Sequence, residues 1–233
     1  MREDICTIPV SEVFEVDDGC PICRMKAIIE KRIVDYIMGD AMMEPDVRIS
    51  TNEVGFCEKH YDKMMANRGR LQLTLMLQTH IAELNEKVFA KKLFTSNSKQ
   101  ASEAKKILDS CFICSKIEFG MSRMIDTIYR CYENEKDFRS LFDNQSMFCL
   151  KHYELLSSGV NKHNMKRYGG DFLKSLNRIT GEYSKKLYDD LSEFAMSFDY
   201  RSAGVDLSNS ECKNSVERTV DFLSGRIDLP NSK

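Results

Sequence analysis

The chain has 233 residues, 34 Lys and Arg against 36 Asp and Glu, 42% hydrophobic residues, nine cysteines and no tryptophan. That length is enough for one large domain or two small ones, and with a mean hydropathy of -0.41 no apolar run approaches the ~20 residues of a membrane-crossing helix, which excludes a helical integral membrane protein. A net charge of -2 lacks the basic excess of a general nucleic-acid binder, so no nucleic-acid partner is expected.

From the start of the chain, MREDICTIPVSEVFEV shows no apolar core of a signal peptide. A reducing, cytoplasmic setting is therefore expected, and there clustered cysteines point to metal rather than disulfides. The next stripe, Met25, Ile29, Ile33 and Ile37, recurs every four residues, the spacing of one helical face. Beyond Pro45 no proline occurs until Pro230, which leaves room for long helices. Leu73, Leu77, Ile81, Leu84 and Val88 form a second stripe, Ile117, Met121, Met124, Ile128 and Cys131 a third. The fourth runs from Leu173 through Leu176, Ile179, Tyr183, Leu187 and Leu191 to Phe194, with Gly181 as its weak point. Thr95 to Gln100 is polar, has no apolar period and reads as a joint. After Phe198, Ser208 to Glu211 resembles a capping box, Val216, Val220 and Leu223 make a short stripe, and Gly225 is a helix stop. Strand-like alternation is absent, and the fold class expected is all-α.

The chain also resembles itself. Cys20-Pro21-Ile22-Cys23 precedes Cys111-Phe112-Ile113-Cys114 by 91 positions, and Arg32 to Asp35 precedes Arg123 to Asp126 by the same offset. One inserted residue then aligns Phe56-Cys57-Glu58-Lys59-His60-Tyr61 with Phe148-Cys149-Leu150-Lys151-His152-Tyr153. The division expected is two homologous helical repeats, 1–97 and 98–197, each holding a metal site, and a tail with a short helix, 198–233.

Each repeat holds a Cys-x-x-Cys and a later Cys-x-x-His. Donors three positions apart share a helical face, so each motif presents two ligands at a helix head, and two heads complete a tetrahedron. The expected grouping is Cys20, Cys23, Cys57 and His60 in one site, and Cys111, Cys114, Cys149 and His152 in the other. A Cys₃His shell suits Zn²⁺, two per chain; the histidine ranks an iron–sulfur cluster below zinc, with metal-free dithiols a further alternative. A closed four-ligand shell favours a structural over a catalytic ion. Helix starts, with Lys59, Lys151 or Arg24 nearby, would offset its negative charge.

Other residues carry blander readings. Cys131 continues an apolar stripe, and Cys6 and Cys212 are expected at the surface. His80 reads as an ordinary helix histidine with Glu83 in reach, and His163 as a loop residue. Met38, Met42, Met43, Met64, Met65 and Met76 read as core filling. Arg32 with Asp35, and Arg123 with Asp126, are spaced as ion pairs. No nucleotide-binding glycine loop is present.

The chain resembles an uncharacterised bacterial domain family of unknown function over nearly its full length. Ile8-Pro9-Val10-Ser11-Glu12-Val13-Phe14, Gly19-Cys20-Pro21-Ile22-Cys23, Met42 to Arg48, Gly55-Phe56-Cys57-Glu58-Lys59-His60, Leu75 to His80 and Phe198-Asp199-Tyr200-Arg201 carry the likeness. The resemblance implies a bacterial cytoplasmic protein with the duplicated Cys/His plan; it carries over no activity and leaves the mechanism open. Ser110 and Phe112 stand where the first repeat has Gly19 and Pro21, so the two metal loops are expected to differ in shape.

The function expected is a zinc-binding helical scaffold that engages a protein partner. The alternatives are a thiol redox or metal-responsive protein, and an enzyme with a site between the repeats.

Overall fold

The fold is given by a computed structural model that describes residues 7–89, 97–163, 165–198 and 211–225. These residues form eleven α-helices and no strand, so the all-α class holds. Cys6 and the capping-box residues Ser208 to Ser210 lie outside the described residues.

The helices are α1 (Thr7–Phe14), α2 (Pro21–Met38), α3 (Pro45–Val54), α4 (Glu58–Ala66), α5 (Arg70–Leu84), α6 (Asn97–Leu108), α7 (Phe112–Asn134), α8 (Lys136–Asp143), α9 (Leu150–Gly159), α10 (Gly169–Met196) and α11 (Ser215–Ser224). Helix starts follow local chemistry. Pro21 and Pro45 open α2 and α3, where a missing N–H costs nothing. α3 stops at Gly55, whose φ of 61° and ψ of -154° exclude a side chain; a Cβ there would also meet His80 Nε2 at 2.8 Å. α11 stops at Gly225 in the left-handed region, its N–H bonded to the Asp221 carbonyl. The polar stretch read as a joint is helical from Asn97 onward, because Asn97 to Gln100 form the first turn of α6.

Two compact units are interleaved along the chain. The first comprises Met1–Ala27 and Ser122–Lys233, the second Ile28–Met121. The repeats at 1–97 and 98–197 and the tail at 198–233 are stretches of sequence; the compact units are drawn along other lines.

The core of the first unit is aromatic. Phe142 stacks with Phe148 at 4.9 Å and lies 4.8 Å from Phe172, while Tyr132 meets both Phe142 and Phe172 edge-on. Such contacts add about 0.5–1.5 kcal/mol each to area burial. Phe172, not the Leu173 of the sequence stripe, is fully buried. α10 packs on α8, α9 and α11, and 28 residues of helix extend about 42 Å without a break at Gly181. Cys131 is buried here as expected; Cys212, expected at the surface, is also buried, at 1% exposure.

The core of the second unit gathers Val34, Ile37, Met38, Met64, Leu73 and Met76 with Phe112 and Ile117. α3 and α4 both pack on α5. Met38, Met64 and Met76 fill it as expected, whereas Met43 and Met65 are exposed. The buried line on α5 is Leu73, Met76 and His80. Val88 is also buried, at 3% exposure, and Leu77 packs against the core, while Leu77, Ile81, Leu84 and Val88 together line one side of an apolar cleft of about 700 Å³.

Candidate metal centres

Every Cys-x-x-Cys and Cys-x-x-His sits at a helix head. Cys57 and Cys149 are the N-cap residues of α4 and α9, which places His60 and His152 in the first turn. Cys20 and Cys111 directly precede α2 and α7. Their carbonyls accept the first intrahelical bonds, from Arg24 N–H and Ser115 N–H at 3.1 Å. Four helix heads thus turn eight donors, and the positive ends of four helix dipoles, toward two points.

The heads are joined differently from the sequence expectation. One group is Cys20, Cys23, Cys149 and His152; the other is Cys57, His60, Cys111 and Cys114. The within-repeat sets, Cys20/Cys23 with Cys57/His60 and Cys111/Cys114 with Cys149/His152, are not formed. The Cys57/His60 head lies against the middle of α2, where His60 Nε2 is 2.9 Å from Glu30 Oε1, well beyond the Cys20/Cys23 end of that helix.

Both groups have the dimensions of a tetrahedral shell. Zinc bound at about 2.3 Å to sulfur and about 2.0–2.1 Å to nitrogen implies tetrahedron edges of about 3.8 Å between sulfurs and about 3.5 Å between sulfur and nitrogen. In the first group Cys23 Sγ lies 3.6 Å from Cys149 Sγ. His152 Nδ1 lies 3.5, 3.2 and 3.2 Å from the sulfurs of Cys20, Cys23 and Cys149. In the second group Cys57 and Cys114 sulfurs are 3.8 Å apart. His60 Nδ1 is 3.2 Å from Cys57 and Cys111, and 3.5 Å from Cys114. All donors in each group lie within 4.8 Å of one another, so each group could hold a metal ion.

Electrostatics favours a cation at both points. In the first group, hydrogen bonds from Cys20 and Cys23 hold the Cys149 thiol far below its ordinary value. Burial and donation to Cys149 push Cys20 up to about 12, and hydrogen bonding to Cys149 and Cys20 raises Cys23 further. One thiolate is thus shared by three crowded sulfurs, and a cation is what lets the others ionise. In the second group burial works against the Cys111 thiolate, but hydrogen bonds from His60 and from backbone N–H groups win and bring it down to about 6. Burial and donation to Cys111 push Cys114 up to about 12.

The surroundings differ. In the second group His60 Nε2 donates to Glu30 Oε1 at 2.9 Å, the carboxylate–histidine arrangement that fixes a ligating ring. Lys59 at 2.8 Å and Lys63 also pair with Glu30. Burial alone would raise the Glu30 carboxyl, but hydrogen bonds from His60, Lys59 and Lys63 hold it well below the usual carboxylate range. Sequence reading missed Glu30, although a carboxylate in line with the buried Val34 and Ile37 was a signal. Near the first group the end of α11 closes in, with the Gly225 carbonyl oxygen 3.4 Å from Cys23 Sγ. Arg24, expected to offset the thiolates, donates instead to the carbonyls of Val13 and Val16 and pairs with Asp18.

A family model described as a family of unknown function, DUF6062, matches residues 1–230. The chain belongs to this family. No curated protein and no solved structure matches it. No described helix of this DUF6062 member is long and apolar enough to cross a membrane.

The remaining residues take structural parts. His80 is buried and its Nδ1 donates to the Asn52 carbonyl at 2.8 Å, while Glu83 pairs with Lys87. Asp35 pairs with Lys31 and not with Arg32, and Asp126 lies 3.4 Å from His163, whose ring stacks on Tyr129.

Proposed function

We propose that this protein binds two Zn²⁺ ions, one through Cys20, Cys23, Cys149 and His152 and one through Cys57, His60, Cys111 and Cys114. Both are structural, and the two sequence repeats exchange ligand pairs to make them. The observation that carries this reading is the match of the donor separations in both groups to the edges of a tetrahedral thiolate–imidazole shell. Zinc is preferred because such donors suit it and because a closed shell needs no redox chemistry. Elemental mass spectrometry on anaerobically purified protein tests it: two zinc ions per chain are expected. Iron with acid-labile sulfide, or no metal, overturns it.

The scaffold so held engages a protein partner in a reducing cytoplasmic compartment. Support comes from the apolar cleft of about 700 Å³ in the second unit, where Ile81 is 53% and Leu108 81% exposed and Glu58 and Asp62 mark the rim. An amphipathic helix with basic flanks fits that surface. Ile81→Glu and Leu108→Glu are expected to abolish binding of a Leu/Lys amphipathic peptide while metal content and helicity stay unchanged; undiminished binding overturns this part. The enzyme reading has less support. A polar cavity of about 530 Å³ does adjoin Cys20 and Cys149, but its Lys186 and Arg218 are already paired with Glu211 and Asp190 at 2.5 Å.

A further inference from the structure

The two metal groups differ in what solvent can reach. In the first, Cys20, Cys23 and Cys149 are exposed by 1%, 4% and 1%, and the α11 terminus lies against the sulfurs. In the second, Cys114 is exposed and Cys57 half-buried. These two sulfurs face each other across one edge of the shell at 3.8 Å, against about 2.05 Å when bonded.

Building on the two-ion reading, we propose that Cys57 and Cys114 are a modification site for oxidants of the peroxide class, and that their oxidation to a disulfide releases the ion of the second site while the first stays intact. The Cys114 thiolate attacks one peroxide oxygen; an S–O bond forms, the O–O bond breaks, and hydroxide leaves with a sulfenic acid on Cys114. The Cys57 thiolate then attacks that sulfur; the S–S bond forms, the S–O bond breaks, and a second hydroxide leaves. Two electrons pass from the two sulfurs to one peroxide, and two solvent protons convert both hydroxides to water. Two anionic donors are lost in one event, leaving Cys111 and His60, too few to hold the ion. Because Cys57 also lines the apolar cleft, the oxidised state alters the surface assigned above to a partner.

The test uses the full chain, with its metal content measured before hydrogen peroxide is added in increasing amounts. Released metal is followed with a chromogenic chelator, and intact mass and disulfide mapping are read on the same samples. The expected result is loss of one of two ions with a mass decrease of about 2 Da, a Cys57–Cys114 cross-link, and Cys20, Cys23 and Cys149 unmodified. Cys114→His keeps four donors and is expected to retain the second ion through the same treatment. Simultaneous loss of both ions, earlier loss from the first site, a cross-link elsewhere, or metal loss from Cys114→His at the wild-type rate each overturns the proposal and leaves the two-ion reading standing. Absence of metal before peroxide overturns the reading, and the proposal with it.

Discussion

Glu30 shows how one side chain separates two similar sites. It accepts from His60 Nε2 and is held ionised by Lys59 and Lys63, whereas the position 91 residues later in the sequence is Met121. Glu30→Gln keeps the shape and removes the charge, so the second ion is expected to be held about 10- to 100-fold less tightly, with the first unaffected. A competitive chelator titration, read with Cys57 and Cys149 labelling, checks this. Gly55 is the other decisive residue. Gly55→Ala forces a side chain into a glycine-only backbone region and against His80 Nε2, which is expected to cost about 1–3 kcal/mol in urea unfolding followed by far-UV circular dichroism. The i,i+3 spacing did indicate which eight residues carry donors, because that depends on local helix geometry alone. It could not find Glu30's partner, because His60 is 30 positions away and only tertiary packing brings it in.

Helices set which heads meet. The periodic stripes made α2, α5, α7 and α10 legible, since a 3.6-residue period is a local property. The pairing of heads was not, because the Cys-x-x-His motifs are interchangeable as ligands and only the tertiary arrangement of the helices decides which of them meets which Cys-x-x-Cys. The α5 stripe misled in a similar way: Leu77 and Ile81 share a face with helical spacing, yet that face lines a cleft while His80 goes inside. The crossed pairing makes a sharp prediction. Cys149→Ser is expected to leave Cys20 and Cys23 open to alkylation while Cys111 and Cys114 stay protected; mass spectrometry of labelled peptides would show the reverse if each repeat held its own ion. In α10, an added Cβ at Gly181 meets nothing within 4 Å. Gly181→Ala is therefore expected to stabilise the protein by about 0.5–1 kcal/mol, measurable as a higher Tm.

At the scale of the whole molecule, each Cys/His group draws donors from both the 1–97 and the 98–197 stretch of sequence. Fragments 1–97 and 98–233, expressed apart, each hold one Cys-x-x-Cys and one Cys-x-x-His from different groups. Neither is expected to bind zinc tightly, while co-expression is expected to restore two ions; a fragment that binds a full equivalent alone would contradict the interleaved fold. The interleaving also sets an order of assembly on the ribosome. On the two-ion reading, the most separated donors of the second group, Cys57 and Cys114, are 57 positions apart, whereas Cys20 must wait for His152, 132 positions later, a delay of roughly 7 to 26 s at ordinary rates of translation. The middle of the chain can therefore close its ring while the outer one is still being synthesised, and the early Cys20/Cys23 dithiol spends that interval exposed to whatever metals and oxidants the cell supplies.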